Sequence, residues 1–275
     1  MAESDAIVAT QRPATAATLA ADLAELGLRA DDVVIVHSSL SALGWVAGGA
    51  QAVVEALLAV VGAGGTIVMP AHSGHLSDPA AWANPPLPPS WIDVVREGLP
   101  AFDQQLTPTR GMGQIVDCFR QHRDSIRSSH PTVSVVANGR HAIEIVGSHP
   151  LTPALGESSP LGRLYDADAL VLLLGVTHAN NTSLHLAEHR ADWPGKAIYT
   201  EGVPAVVDGK RAWVNYDDLE KRDDDFGVIG EAFAASGGER AGVVGTGRAR
   251  LCRQRAVVDF AVEWMNQNRP DSLTP

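Results

Sequence analysis

The segment THANNTSLHLAEHR, residues 177–190, concentrates side chains able to do chemistry. His185 and Glu188 stand three apart, so a helix places both on one face. A carboxylate in that position holds the imidazole in one tautomer and stabilises its protonated form, which suits His185 to act as a general base. A surface helix with a routine His–Glu contact has the same spacing, so the pair alone does not decide. The same letters also spell H-x-x-E-H (His185, Glu188, His189), the inverted zincin pattern, in which two imidazoles ligate zinc and the glutamate serves as base. A zinc-dependent hydrolase is therefore the alternative reading. It needs a third ligand, and no motif singles out Glu231 or Glu263 for that part.

A second candidate is HSSLSALG, residues 37–44. Small hydroxyl side chains and free backbone N–H groups between a strand and a helix suit an anionic or amide-bearing ligand. An ordinary βα turn looks the same. No G-x-x-x-x-G-K-[ST] is present, and Gly245-Thr246-Gly247 lacks the third glycine of a dinucleotide fingerprint. His72 and His75 are spaced for a metal but fall in a loop. Cys118 and Cys252 read as packing residues.

These residues need elements to hold them. Val33–Val36 is a continuous β-branched run, expected as a buried strand ending at His37-Ser38-Ser39. A Gly-rich turn leads into a helix near 50–61, and TIVMP (66–70) is the next buried strand, which makes a βαβ unit of residues 33–70. The run ALVLLLGV (169–176) predicts a strand whose C-terminal end carries the histidine segment, at the edge where open α/β sheets place ligands. Asn181 or Thr182 is the expected N-cap of the helix at 182–191. Further helices are expected at 14–28, 112–122, 226–236 and 254–266, and a strand at 132–137. A hairpin is expected over 198–216, turning at Asp208-Gly209. Residues 71–110, with WANPPLPPSW at 82–91, read as a long Pro-rich loop insertion.

The chain has 275 residues and a net charge of −11. That balance argues against nucleic acid or an anionic membrane as partner, since phosphates are held by clustered Lys and Arg. It leaves carboxylates to receive a cation. The opening residues are acidic and lack a basic start followed by an apolar run, so no signal peptide is expected. The longest apolar runs are strand-sized, and two cysteines make no disulfide framework. The expectation is a cytoplasmic protein with one domain over 1–275.

HSSLSALG with the GGA after it, TRGMG (109–113), RSSHP (127–131), GESSPLGRLY (156–165), LLLGVTHANNTSLHLAEH (172–189), GVVGTGRARL and VDFAVEW, in this order, resemble the aminoglycoside 3-N-acetyltransferase family, which is distinct from the GNAT acetyltransferases. The resemblance covers about residues 14–265. It implies an α/β fold with a central mixed β-sheet flanked by helices. It also implies acetyl-CoA-dependent acetylation of the 3-amino group of a deoxystreptamine ring in an aminoglycoside antibiotic; since no activated Cys or Ser nucleophile is needed, direct transfer through a ternary complex is expected. By its motifs His185 and Glu188 act at the active site, and His37, Ser38, Ser39 and Leu40 contact acetyl-CoA. The TRGMG turn, with Thr109, Met112 and Gly113, is similar to the stretch that lines the family's pantetheine channel, and Ser73 is a further candidate cofactor contact. Once the cationic drug is implied, Asp78, Glu157 and Asp225 (of the run Asp223–Asp225) become candidate substrate carboxylates, and Thr182 a candidate oxyanion donor. No metal is implied, and the expected assembly is a monomer or homodimer. Several relatives carry an Asp after the His that corresponds to His178; here that position is Ala179.

Overall fold

The computed structural model describes residues 12–269 continuously, with residues 4, 7, 8 and 10 before them. The ends of the expected 1–275 domain lie outside the described residues. Strands β1 (Val33–Ser38), β2 (Thr66–Pro70), β3 (Ile126–Arg127), β4 (Val135–Gly139), β5 (Leu170–Leu174), β8 (Glu239–Val244) and β9 (Gly247–Arg253) form one sheet in the order β3-β4-β2-β1-β5-β9-β8. β1 runs parallel to both β2 and β5, whereas the β2–β4, β3–β4, β5–β9 and β8–β9 pairs are antiparallel. The sheet is thus mixed, and its three central parallel strands end together at Ser38, Pro70 and Leu174.

Every residue of β2 and β5 is buried. Such runs are stable only with both sheet faces covered. Helices α1 (Ala16–Leu26), α2 (Gly49–Val61) and α4 (Gln114–Gln121) cover one face, and Leu19, Leu23, Leu57 and Phe119 join Val34 and Leu172 in its core. The other face is covered by α5 (Ala142–Val146), α6 (Pro160–Asp166), α7 (Leu184–Arg190), α8 (Phe226–Ala235) and α9 (Gln254–Asn268). α1 begins with a reciprocal Thr15–Thr18 capping box and ends at Gly27, φ 123°, and its buried leucines recur at helical spacing.

The expected βαβ unit is present, with α2 joining parallel β1 and β2. The hairpin is a separate two-stranded sheet, β6 (Ile198–Val207) and β7 (Lys210–Leu219). Asp208 and Gly209 both have positive φ, 50° and 76°, as a two-residue I′ turn requires. Segment 71–110 departs from the sequence reading. It is not one loop: it holds 3-10 turns at Gly74–Leu76, Pro79–Ala81 and Pro89–Trp91 and a helix, α3 (Ile92–Gly98). Proline at the first position of two of those turns has no amide to lose there, so a proline-dense stretch still folds. Among the described residues, no helix is long and apolar enough to cross a membrane.

Candidate active site

Two cavities open at the end where β1, β2 and β5 finish. The smaller, about 220 Å³, is lined by His37, His72, Asn181, Thr182, His185, Asp223 and Phe226 among others. The larger, about 740 Å³, runs along Ser38–Ser41, Gly44–Val46 and Gly111–Gln114. Ser38, Gly111, Met112, Val176 and Asn180 belong to both, so the two spaces adjoin.

His185 sits in the first turn of α7 with its ring packed edgewise on Phe226, centroids 4.9 Å apart. Its Nδ1 donates to Glu188 Oε2 over 2.6 Å. A carboxylate in contact with Nδ1 fixes the proton there, so Nε2 carries the lone pair, the form a general base needs. Glu188 is 1 % exposed, and its other oxygen accepts from Arg269 Nη1 and from the Arg222 amide, both at 2.9 Å. Arg269, also buried, grips Asp225 through Nε and Nη2, each 2.8 Å, and lies against Trp193. The charge of Glu188 is therefore matched by a guanidinium as well as by the imidazole. Unpaired, a carboxylate buried to that degree would be strongly unfavourable.

A second buried pair stiffens the loop before α7. His178 Nε2 donates to Glu239 Oε2 at 2.9 Å, and Glu239 Oε1 accepts from Arg250 at 2.7 Å. His178 Nδ1 then accepts from Asn181 Nδ2, and Asn181 Oδ1 accepts the Ser183 amide. Burial lowers the His178 pKa, and Glu239 opposes that shift. Neither expected residue is the N-cap: α7 begins after Ser183, whose side chain makes no capping bond, and Asn181 Oδ1 instead holds the Ser183 amide in the turn ahead of the helix. Thr182 lines the smaller cavity.

The cofactor-side candidates separate by position. Ser38, Ser39, Leu40, Met112 and Gly113 line the larger cavity, and His37 the smaller one. Gly111 and Gly113 have φ of 75° and 84°, and no atom lies within 4 Å of where a Cβ would stand, so the turn offers bare backbone to that space. Ser73 and Thr109 line neither cavity. Ser73 Oγ donates to Pro108 O, and Thr109 Oγ1 donates to Asp117 Oδ1, so both brace the surrounding loops. The proposed drug carboxylates also line neither. Asp78 is bound by Arg96 at 2.7 Å, Glu157 by Arg190 at 2.5 Å and Asp225 by Arg269 at 2.8 Å. The carboxylate that does face the smaller cavity is Asp223, two residues before Asp225. Ala179 stands on the same wall.

Buried polar atoms without a protein partner include His37 Nε2, Ser38 Oγ and His72 Nε2, all on the smaller cavity. Such atoms normally find partners, and a cluster of them marks a place where a ligand supplies the bonds. Burial pushes the pKa of His37 and of His72 down to about 3, helped by the other imidazoles nearby, so both stay neutral. His72 reads in the sequence as an ordinary loop histidine, and nothing in the sequence connects Arg269 to Glu188.

The H-x-x-E-H reading fares differently. Both Glu188 oxygens are engaged by His185, Arg269 and a backbone amide, and His189 does not line the cavity. Among the described residues no cluster of three or more His, Cys, Asp or Glu is placed to hold a metal ion.

The fold is an α/β one, with a histidine–carboxylate pair beside a long Gly-lined cleft at the C-terminal edge of its parallel strands, an arrangement that suits a group-transfer enzyme. Residues 35–266 match the aminoglycoside 3-N-acetyltransferase family, and the chain belongs to it; it is an acetyltransferase. The aminoglycoside N(3′)-acetyltransferase-like protein YokD of Bacillus subtilis is 47 % identical over 95 % of this chain and 96 % of its own. The YokD crystal structure superposes with a TM-score of 0.94, covering 96 % of this chain and 98 % of that one at 46 % identity. Aminoglycoside N(3)-acetyltransferase VII of Streptomyces paromomycinus is 35 % identical over 93 % of this chain and 92 % of its own. The structure of AAC-IIIb as a binary complex with CoASH has a TM-score of 0.83 at 33 % identity, covering 94 % of this chain and all (100 %) of that one.

Proposed function

We propose that this protein transfers the acetyl group of acetyl-CoA to the 3-amino group of the deoxystreptamine ring of an aminoglycoside, and so confers resistance to the antibiotic. One observation carries the reading: His185, backed by the buried Glu188, lines a smaller cavity that adjoins a long Gly-lined cleft. In this reading the cleft along Ser38–Leu40 and Met112–Gly113 takes acetyl-CoA and the smaller cavity takes the amine. Both substrates are held together, and no residue is acylated. Cys118 and Cys252 have pKa values raised chiefly by burial, which leaves no activated thiol for a covalent route.

His185 Nε2 accepts a proton from the amine, which attacks the thioester carbonyl. The C–S bond breaks, the CoA sulfur leaves and takes up a proton, and the amide forms. Glu188 stabilises the imidazolium made on the way. The developing oxyanion needs a donor, and Thr182 on the cavity wall is the candidate. Asp223 is the carboxylate placed to draw the cation in. The reading also takes the chain as one cytoplasmic domain, working as a monomer or homodimer, with no nucleic acid or membrane partner.

The deciding experiment mixes the protein with acetyl-CoA and gentamicin or neomycin and follows release of free CoA thiol. Drug-dependent thiol release, with the acetyl group mapped to the 3-amine, is the expected result. No release with any member of a wider aminoglycoside panel would sink the reading.

A further inference from the structure

We infer that His72 is a specificity residue of the acceptor site, whose Nε2 makes a hydrogen bond to the amine-bearing substrate. The inference rests on the acetyl-transfer reading above and goes beyond it, because neither the His–Glu pair nor the cofactor cleft assigns His72 a part.

The first observation is the orphaned atom. His72 Nε2 is buried without a partner, on the cavity that also holds His185. The second is which side of the junction it occupies. His72 lines the smaller cavity and is absent from the cleft along Ser38–Ser41, so it faces the acceptor rather than the thioester donor.

The third observation is how tightly its backbone is held. The Ala71 amide donates to Ser134 O and the Ser73 amide to Thr132 O, both at 2.8 Å. His72 O accepts the Arg110 amide at 2.8 Å. Beneath them lies Arg127, 6 % exposed, which donates to Ala71 O at 2.6 Å and to Ser73 Oγ at 2.8 Å. Residues 71 and 73 are thus clamped on either side of His72, which lines the cavity. A backbone fixed in this way gives up little freedom when a ligand binds to the side chain it carries, which is how specificity contacts gain strength. It also gives Arg127 and the RSSHP segment a purpose that sequence alone did not show.

The chemistry fits a polycationic acceptor. An imidazole that stays neutral does not repel the substrate, and it can accept from an amine or donate to a hydroxyl. Burial is the main reason it stays neutral, with His185, His37, Lys221 and His149 adding in the same direction.

The test uses amide side chains of two lengths. His72→Gln places its amide nitrogen near Nε2, and His72→Asn places one near Nδ1. With wild-type thiol release established first, KM for gentamicin and for acetyl-CoA is measured in both variants and in His72→Leu. The expected result is a gentamicin KM raised about tenfold in His72→Leu and His72→Asn, since an unmatched buried polar group costs about that much. His72→Gln should stay within about threefold of wild type, and the acetyl-CoA KM should hold within about twofold throughout. Should His72→Leu fail to fold, the Asn–Gln comparison stands alone. Equal behaviour of Asn and Gln would overturn the assignment, as would a change confined to kcat or to the acetyl-CoA KM. A wild type inactive on every aminoglycoside would instead overturn the function itself, which keeps the two failures distinct.

Discussion

At the scale of single residues, the His185–Glu188 contact of 2.6 Å makes a sharp demand on kinetics. His185→Ala should lower kcat by about 10²–10⁴, the usual span for a general base. Glu188→Gln should lower it less, and the double variant should be little worse than His185→Ala, because the two act as one unit. Steady-state thiol release measures all three. His189→Ala should be mild, as His189 lies off the cavity. Equal damage from His189→Ala and His185→Ala would revive the metal reading. The carboxylates supply a second contrast. Asp223→Asn should raise the gentamicin KM severalfold, most at low salt, while Glu157→Gln should leave it unchanged because Glu157 is already bound to Arg190. Ala179 adds a gain-of-function case: Ala179→Asp puts a second negative charge on the cavity wall and should lower the same KM.

At the scale of elements, the site depends on a strap from the far end of the chain. Arg269 follows α9 and joins Glu188 on α7 to Asp225 at the start of α8. Arg269→Met takes the guanidinium from two carboxylates, one of them 1 % exposed and left with His185 and the Arg222 amide alone, and should cost about 3 kcal/mol. Urea unfolding followed by circular dichroism reads the loss. A cost under about 1 kcal/mol would mean that the strap is ornamental. Elements of this kind also show what sequence can reveal. β1, β2 and β5 were legible because burial on both faces demands unbroken apolar runs, and His185 with Glu188 was legible because helical spacing is local. β8 and β9 were not. β8 is mostly exposed and β9 only partly alternates, so their Arg-bearing letters resemble a loop as much as a half-exposed strand. The turns of 74–91 were missed for a related reason, since composition records the prolines and not the contacts that hold them. His72, Asp223 and Arg269 come together only through tertiary structure, and no spacing in one dimension encodes that.

At the scale of the whole molecule, a chain with a net charge of −11 keeps neutral imidazoles inside it, and this ties its stability to pH. His37, His130 and His149 are 6 %, 0 % and 7 % exposed. Burial, reinforced by His178 and His185, holds His37 at about 3. Burial holds His149 at about 4 against the bond it makes to Ala154 O, and keeps His130 well below its ordinary value. Once unfolded, each returns to about 6.5. Between those values the unfolded chain binds protons that the folded one refuses, so stability falls as pH drops from about 6.5 toward 4. Above about 7 these groups contribute no slope. Each adds a slope of up to about 1.4 kcal/mol per pH unit, so three together are a large fraction of a typical folding free energy. Urea unfolding at pH 8, 7, 6 and 5 should give a nearly flat free energy between 8 and 7 and a steep fall below 6. The window above pH 5 matters because paired carboxylates begin to protonate only below it. His149→Gln removes one imidazole and should flatten the fall by about one proton's worth even if it lowers stability at every pH. A free energy that stays level from pH 7 to 5, or a slope unchanged in His149→Gln, would show that the buried imidazoles take up protons in the folded state. His37 on the cavity wall would then be free to charge beside a cationic substrate, and the electrostatic basis for admitting that substrate would fail with it.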